Sequence, residues 1–472
     1  MADGSGLTAA AGPALDALAA VLPEDTLRPA EDRHREELRR ILRGTAEAVA
    51  LPRGAAEVGA ILAHCTAHRI AVVPLGGGTG LVGGQIADGR PALTLSLERM
   101  TAVRGLWPEE GAITVEAGAI LQTVHERAAE TGLQFPLTLG SKGSARIGGL
   151  LATNAGGTHV LRHGTMRDLC LGIEAVLPTG EVMATAHRLR KANLGYDLRH
   201  LIIGAEGTLG VITAATLRLV PVPRDRAVAV LALGRAEDAL TLLARARGAL
   251  GDAVTACELI DGQGLEWVAE HLPDTRVPLD PIPAWSVLLE AGMRAGAADA
   301  LEEVAGAAME AGLVTDGAVS RSEAQAQAFW AAREAIPEAN RAVGAVASHD
   351  VSVPLSEMAT LIREGRAALR ALAPDLRFNT FGHVGDGNLH YNVFPAAGRD
   401  RSDYDAEALS RRLHDLVGSL GGAISAEHGI GRFKAGELAR LHDPAALGAM
   451  RAIKAALDPA GIMNPGAILS PA

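Results

Sequence analysis

Ile70-Ala-Val-Val-Pro-Leu-Gly-Gly-Gly-Thr-Gly-Leu-Val-Gly-Gly84 is the stretch whose reading decides the architecture of the amino-terminal half. The apolar run 70–75 reads as a buried strand, and it empties into residues without side-chain bulk. Gly78, Gly80 and Gly83 spell G-x-G-x-x-G, with Glu98 twenty residues beyond Gly78, which is the spacing of a Rossmann fingerprint. The surroundings deny it. A Rossmann loop opens a crossover helix, yet Gly83-Gly84, Asp88-Gly89 and Pro91 leave no room for one before the strand expected at 92–97. A Walker loop fails too, because no Lys-Ser or Lys-Thr follows. What remains is a tight turn with close packing, or a concave row of backbone amides able to hold an anion.

The loop has company. Pro136-Leu-Thr-Leu-Gly-Ser-Lys-Gly-Ser-Ala-Arg-Ile-Gly-Gly-Leu-Leu-Ala-Thr-Asn-Ala-Gly-Gly157 and Gly204-Ala-Glu-Gly-Thr-Leu-Gly-Val-Ile-Thr213 are two further small-residue tracts. Together they suit a long, folded cofactor whose backbone contacts are spread over several loops. Around them the pattern predicts short helices over 10–45, a helix after Pro52 with Val58, Ile61, Leu62 and Cys65 on one stripe, and strands near 70–75, 92–97, 112–117, 172–177 and 210–219. Val220-Pro-Val-Pro-Arg224 marks the main boundary. Beyond it strands are expected at 226–233, 253–260, 285–291, 347–353 and within 377–394, with helices at 235–250, 296–312 and 322–343. Two strands per helix imply an antiparallel sheet with helices on one face.

The expected fold class is therefore α+β, with an N-terminal helical segment at 1–45, a cofactor domain at 46–221 and a C-terminal domain at 222–472. At 472 residues the chain exceeds one ordinary core, and 48% hydrophobic with 21% charged residues is a globular balance. The net charge of −11 argues against nucleic acid or an acidic membrane surface as the main partner. No apolar run reaches membrane-spanning length. Cys65, Cys170 and Cys257 are too scattered for a zinc ribbon or disulfide framework, and the opening Met-Ala-Asp-Gly-Ser-Gly has no signal-peptide character, so the cytoplasm is the expected compartment.

A second chemistry-bearing stretch is Asn379-Thr-Phe-Gly-His-Val-Gly-Asp-Gly-Asn-Leu-His-Tyr-Asn392. Gly385, Asp386, Gly387 and Asn388 are turn chemistry, and 389–394 alternates as a strand. Folding back there brings His383 toward the face that carries His390 and Asn392. Two imidazoles need a carboxylate to complete a metal site. Ser425-Ala-Glu-His-Gly-Ile-Gly431 offers Glu427, beside a third histidine, His428. Alone, such a cluster is equally the mark of a hydrolase or a structural zinc site.

Taken together, the loop 74–84, the tracts 136–157 and 204–213, the histidine turn, Glu427-His428 and Asp458-Pro-Ala-Gly-Ile-Met-Asn-Pro-Gly466 resemble a known family. The first half is similar to the flavin domain of the vanillyl-alcohol-oxidase and p-cresol-methylhydroxylase superfamily. The whole resembles the FAD-dependent D-2-hydroxyacid dehydrogenases, which include D-2-hydroxyglutarate dehydrogenases, flavin-type D-lactate dehydrogenases and the glycolate oxidase D subunit. The resemblance implies a two-domain flavoprotein, with a PCMH-type FAD-binding domain and an antiparallel-sheet substrate domain. It implies noncovalent FAD held by Pro74, Gly76, Gly77, Gly78, Thr79, Gly80, Pro136, Gly140, Ser141, Gly143, Ser144, Gly148, Gly149, Asn154, Glu206, Ile212 and Asn464. His159 and His163 are read as loop histidines at the surface or near the cofactor.

Oxidising a 2-hydroxy acid needs a base, an anion clamp and a hydride acceptor, and FAD is the acceptor. His383, His390 and Glu427 as metal ligands suit zinc or a neighbouring first-row ion, which would lower the substrate hydroxyl pKa. His428 is the expected general base and Asn392 a neutral donor to the substrate carboxylate. Arg333 matches the family arginine that holds carboxylate; the alternative is an exposed helix arginine paired with Glu334 or Glu338. His349 and Asp350 match a family strand near the active site. Ser348 and Pro337 stand where the hydroxyglutarate enzymes have lysine and threonine, so a D-lactate-like or other small D-2-hydroxy acid is expected, with D-2-hydroxyglutarate as the alternative. Electrons would pass to an electron-transfer protein, quinone or cytochrome. A flavin subunit of a larger complex, an NAD-dependent Rossmann enzyme and a homodimer remain compatible with the sequence.

Overall fold

A computed structural model describes residues 12–87, 92–185 and 187–470. The opening hexapeptide and the Asp88-Gly89 and Pro91 signals lie outside the described residues. The chain forms two units, and the division is not sequential. One comprises Met1–Ala155, Thr165–Val222 and Glu427–Ala472, the other Gly156–Gly164 and Pro223–Ala426. Residues 427–472 thus pack with the first unit, and hydrogen bonding explains it. Val72 N donates to Ile462 O at 2.8 Å and Asn464 N to Val72 O at 2.8 Å, so the tail extends a sheet edge of the first unit.

The first unit begins with α1 (Gly12–Val21), which buries Leu18 completely. Of the short helices expected over 10–45, the described residues form α1 and a single 3-10 turn at Asp32–His34. Leu27–Pro29 is a strand, β1, paired antiparallel with β2 (Ala48–Ala50). The Glu37 carboxylate accepts from the backbone of Arg39, Ile41 and Leu42, so local side-chain bonds take the place of a helical ladder. α2 (Ala55–His68) carries the predicted stripe, and Val58, Ile61, Leu62 and Cys65 are buried. β3 (Ala71–Leu75) and β4 (Ala92–Ser96) run parallel and complete a sheet ordered β1-β2-β4-β3. β5 (Val103–Trp107), β6 (Ala112–Glu116), α3 (Ile147–Ala152), β7 (Cys170–Val176), β8 (Val182–Ala184) and β9 (Val211–Arg218) follow, with a second, antiparallel sheet ordered β5-β6-β9-β7-β8.

The second unit is a seven-stranded antiparallel sheet. Its elements are β10 (Asp225–Leu233), α4 (Asp238–Leu250), β11 (Val254–Asp261), α5 (Gly262–His271), β12 (Trp285–Met293), α6 (Ala297–Glu310), β13 (Val314–Val319), α7 (Glu323–Val343), β14 (Ala347–Ser352), α8 (Met358–Arg370), β15 (Arg377–His383), β16 (Asn388–Phe394) and α9 (Ala406–Ser419). The strand order is β13-β10-β12-β11-β15-β16-β14. Helices cover both faces, not one. Ala229, Leu231, Leu289 and Tyr391 pack under α4, α6, α8 and α9, while Val228, Val230, Leu288 and Phe381 pack under α5 and α7. The strand Ala227-Val-Ala-Val-Leu-Ala-Leu233 is apolar at every position, which is the pattern of a strand buried on both sides.

Candidate active site

In the first unit, β3 feeds the glycine loop, α3 rises from the second tract and β9 leaves the third. Between them lies an open, mostly small-residue-lined cleft. Pro74, Gly76, Gly77, Gly78, Thr79, Gly80, Gly148, Gly149, Glu206, Ile212 and His428 line it. Gly78 has φ +71°, and a Cβ there would point into open space, so backbone and not side chain faces the cleft. The arrangement fits the backbone cradle expected for FAD.

Pro136, Gly140, Ser141, Gly143, Ser144, Asn154 and Asn464 do not line the cleft. Ser141 O accepts from Ser144 N and Ala145 N at 2.9 and 2.8 Å, forming a turn. A Cβ on Gly77 would lie 2.1 Å from Ser144 O, so this turn supports the loop from behind. Asn154 Oδ1 accepts from Arg167 N at 2.9 Å. Asn464 is a clip: its Nδ2 donates to Gly84 O at 2.9 Å and Glu206 O at 2.7 Å, and its Oδ1 accepts from Arg432. The cleft also contains Arg146, which the resemblance did not supply. Its signal was a lone guanidinium within a tract of small residues.

Glu206, which lines the cleft, also has a structural task. Its two carboxylate oxygens accept from Ile430 N at 2.7 Å and Gly431 N at 2.8 Å. Burial pushes its pKa up, against the two N–H bonds. A Cβ on Gly429 would lie 2.7 Å from Glu206 Oε1, so only glycine fits there. Glu206 thus anchors the segment that carries His428 into the cleft.

In the second unit, strand register puts a row of polar residues on the α7 side of the sheet. Glu258 faces His383, which faces Asn388; Phe381 faces His390, which faces Asp350; Asn392 faces Ser348. His349 points to the opposite face, against His414, with ring centroids 5.2 Å apart. The histidine turn is held tightly: Gly387 has φ +80°, and a Cβ there would lie 2.0 Å from Val353 O. Leu161 packs on Gly385 from the other side, within the segment that His159 anchors by its bond to Glu290 at 3.2 Å. The His159 side chain is half-buried. The His383 and His390 rings lie 5.7 Å apart at 81°. His390 Nδ1 is 3.9 Å from Asp350 Oδ1, and Asn388 Nδ2 donates to the same carboxylate at 2.8 Å.

Arg333 is buried, and its partner is neither Glu334 nor Glu338. Glu258, with no exposed surface, accepts from Arg333 Nε at 3.1 Å and Nη2 at 2.9 Å through Oε2. Its Oε1 lies 2.6 Å from His383 Nδ1. Burial alone would raise the Glu258 pKa, but the His383 and Arg333 charges and bonds outweigh it and hold the carboxyl at about 2. Asn392 Nδ2 is engaged by Asn379 O and His390 O at 3.3 and 3.1 Å. Sequence reasoning passed over Glu258, whose signal was a carboxylate in the middle of the mostly apolar strand Val254-Thr-Ala-Cys-Glu-Leu-Ile-Asp261.

Residues 46–186 match the FAD binding domain family, and residues 222–468 match the family of FAD linked oxidases, C-terminal domain. The chain belongs to the FAD-linked oxidases. As such it is an FAD-linked oxidoreductase with a PCMH-type FAD-binding domain. It is 38% identical over 426 residues to D-2-hydroxyglutarate dehydrogenase of Xanthomonas citri pv. viticola, covering 89% of this chain and 88% of that protein. It is 35% identical over 429 residues to the mitochondrial enzyme of the same name from Arabidopsis thaliana, covering 90% and 76%. The fold of this FAD-linked oxidase is shared with p-cresol methylhydroxylase, at TM-score 0.77, 16% identity and 98% coverage of both chains. Alkyldihydroxyacetonephosphate synthase is a second structural neighbour, at TM-score 0.71 and 17% identity, covering 96% of this chain and 84% of that one.

Proposed function

We propose that this FAD-linked oxidase oxidises a D-2-hydroxy acid to the 2-oxo acid with the help of a divalent cation, zinc or a neighbouring ion. The observation that carries the reading is the His383–Glu258 bond. With Nδ1 occupied by the carboxylate, the His383 lone pair is at Nε2, and His390 stands beside it on the same sheet face, a donor set suited to a borderline cation. Glu427 supplies the third ligand in this proposal. The cation would polarise the substrate hydroxyl, and noncovalent FAD would accept the hydride at N5. His428, held by the Glu206-anchored segment, takes the hydroxyl proton, and Asn392 orients the carboxylate. The electrons then leave to an external acceptor.

The substrate in this reading carries one carboxylate, as D-lactate does. Arg333 already shares its charge with Glu258, and Ser348 and Pro337 bring no second cation. The relatives' names favour D-2-hydroxyglutarate, the second reading. Purified protein should be yellow and metal-loaded and should reduce a dye with the D but not the L acid. A kcat/KM for D-2-hydroxyglutarate well above that for D-lactate would overturn the first reading in favour of the second.

A further inference from the structure

The geometry points to Glu258 as a positioning residue that both orients His383 and sets the charge of the substrate side chain the site accepts. This rests on the metal-dependent D-2-hydroxy acid reading above. Glu258 sits in mid-strand on β11, directly across from His383 on β15 and Leu288 on β12. One carboxylate serves two partners through separate oxygens: Oε1 takes the Nδ1 proton of His383, and Oε2 takes Nε and Nη2 of Arg333. The first bond selects the tautomer and ring plane that present Nε2 to a cation. The second turns Arg333 into half of a neutral pair, stacked with its guanidinium carbon 4.6 Å from the centre of the Phe381 ring.

The pairing has a consequence for specificity. A buried carboxylate must be compensated, and Arg333 is the cation that does it. The Arg333 Nη1 group has no protein partner among the described residues, so the arginine still has N–H groups to give, but little net charge. A substrate with a second carboxylate would meet an arginine whose charge is already matched. Neutralising Glu258 uncovers that charge, and a dicarboxylate is the ligand that would then satisfy it.

The test compares wild type, Glu258→Gln and Glu258→Gln/Arg333→Met, each with its flavin bound. Two readouts are taken: Zn2+ affinity by chelator competition, and the ratio of kcat/KM for D-2-hydroxyglutarate over D-lactate. Glu258→Gln should bind Zn2+ about tenfold more weakly and raise the ratio about tenfold or more. The double variant should keep the weak metal binding and return the ratio toward wild type, which a merely structural defect would not do. If the single variant does not fold, the double variant decides through its metal affinity, and unchanged affinity overturns the proposal. Variants indistinguishable from an active, metal-binding wild type overturn this inference alone. A wild type that neither binds metal nor oxidises either acid overturns the functional reading, and the inference with it.

Discussion

Arg333 shows what a single residue can and cannot reveal. On α7 the buried positions include Ala326, Trp330, Arg333, Ile336 and Asn340, so the arginine occupies a core-facing place in a helical stripe. The helical stripe accounts for its burial, but no periodicity tells which carboxylate meets it. His390 belongs to the same scale. On the metal-dependent reading proposed above, His390→Ala should abolish binding of the divalent cation and lower kcat/KM by about a thousandfold. Metal analysis beside steady-state kinetics checks this, and a metal-loaded, active variant would remove His390 from the site. Gly387 offers a purely conformational prediction. Its φ of +80° and the 2.0 Å approach to Val353 O leave no space for a methyl group. Gly387→Ala should cost about 2–4 kcal/mol in urea unfolding.

At the scale of elements, the misses have local causes. β13, Val314-Thr-Asp-Gly-Ala-Val319, hides a turn-like Asp-Gly in an edge strand, where Gly317 allows close approach to Leu231. α5 begins Gly262-Gln-Gly264, a poor helical opening, and is started by Asp261 accepting from Gln263 N at 3.2 Å. α7, by contrast, was expected at 322–343 and continues through Pro337, which lacks the N–H that would bond to the Arg333 carbonyl four residues earlier. The tail is an element whose role follows from hydrogen bonds. Asn464→Ala would remove three side-chain bonds at a site 2% exposed and leave the Gly84 and Glu206 carbonyls without this donor. It should destabilise the first unit by about 2–3 kcal/mol and weaken flavin retention. Thermal melts with and without added FAD would show it; an unchanged melt would mean the tail is not a clip.

Across the whole molecule, burial makes two solution properties predictable. Burial pushes the Cys65 and Cys170 thiols up to about 12 and Cys257 higher still. Native protein should therefore leave Ellman's reagent unreacted, with three thiols per chain appearing only in denaturant. Glu290 reports on acid stability. Burial would raise its carboxyl, but His159, Thr255 and Arg226 outweigh it and hold it at about 2, and Trp330 Nε1 also donates to it at 2.8 Å. A carboxyl depressed in the folded state stabilises fully above its unfolded value of about 4.5, and that contribution is lost as pH falls through about 2. Urea midpoints measured from pH 5 down to 2 should fall more steeply for wild type than for Glu290→Gln. Parallel slopes would show that the network adds nothing.

Local chemistry made much of this protein legible in one dimension. Strand runs, the helix stripe of Val58 to Cys65, the glycine loop and the forced turn between His383 and His390 all depend on residues near one another in sequence, and periodicity and turn preference report such features directly. Only the tertiary structure could decide the rest. That the tail belongs with the first unit depends on Val72 meeting Ile462 and Asn464. That helices cover both faces of the sheet depends on how α4 and α7 cross it. That Arg333 is spent on Glu258, with His383 on its other oxygen, depends on strands β11 and β15 pairing across more than a hundred residues. Partner choice for a buried charge is a property of what comes to lie within 3 Å of it, and no local pattern encodes that.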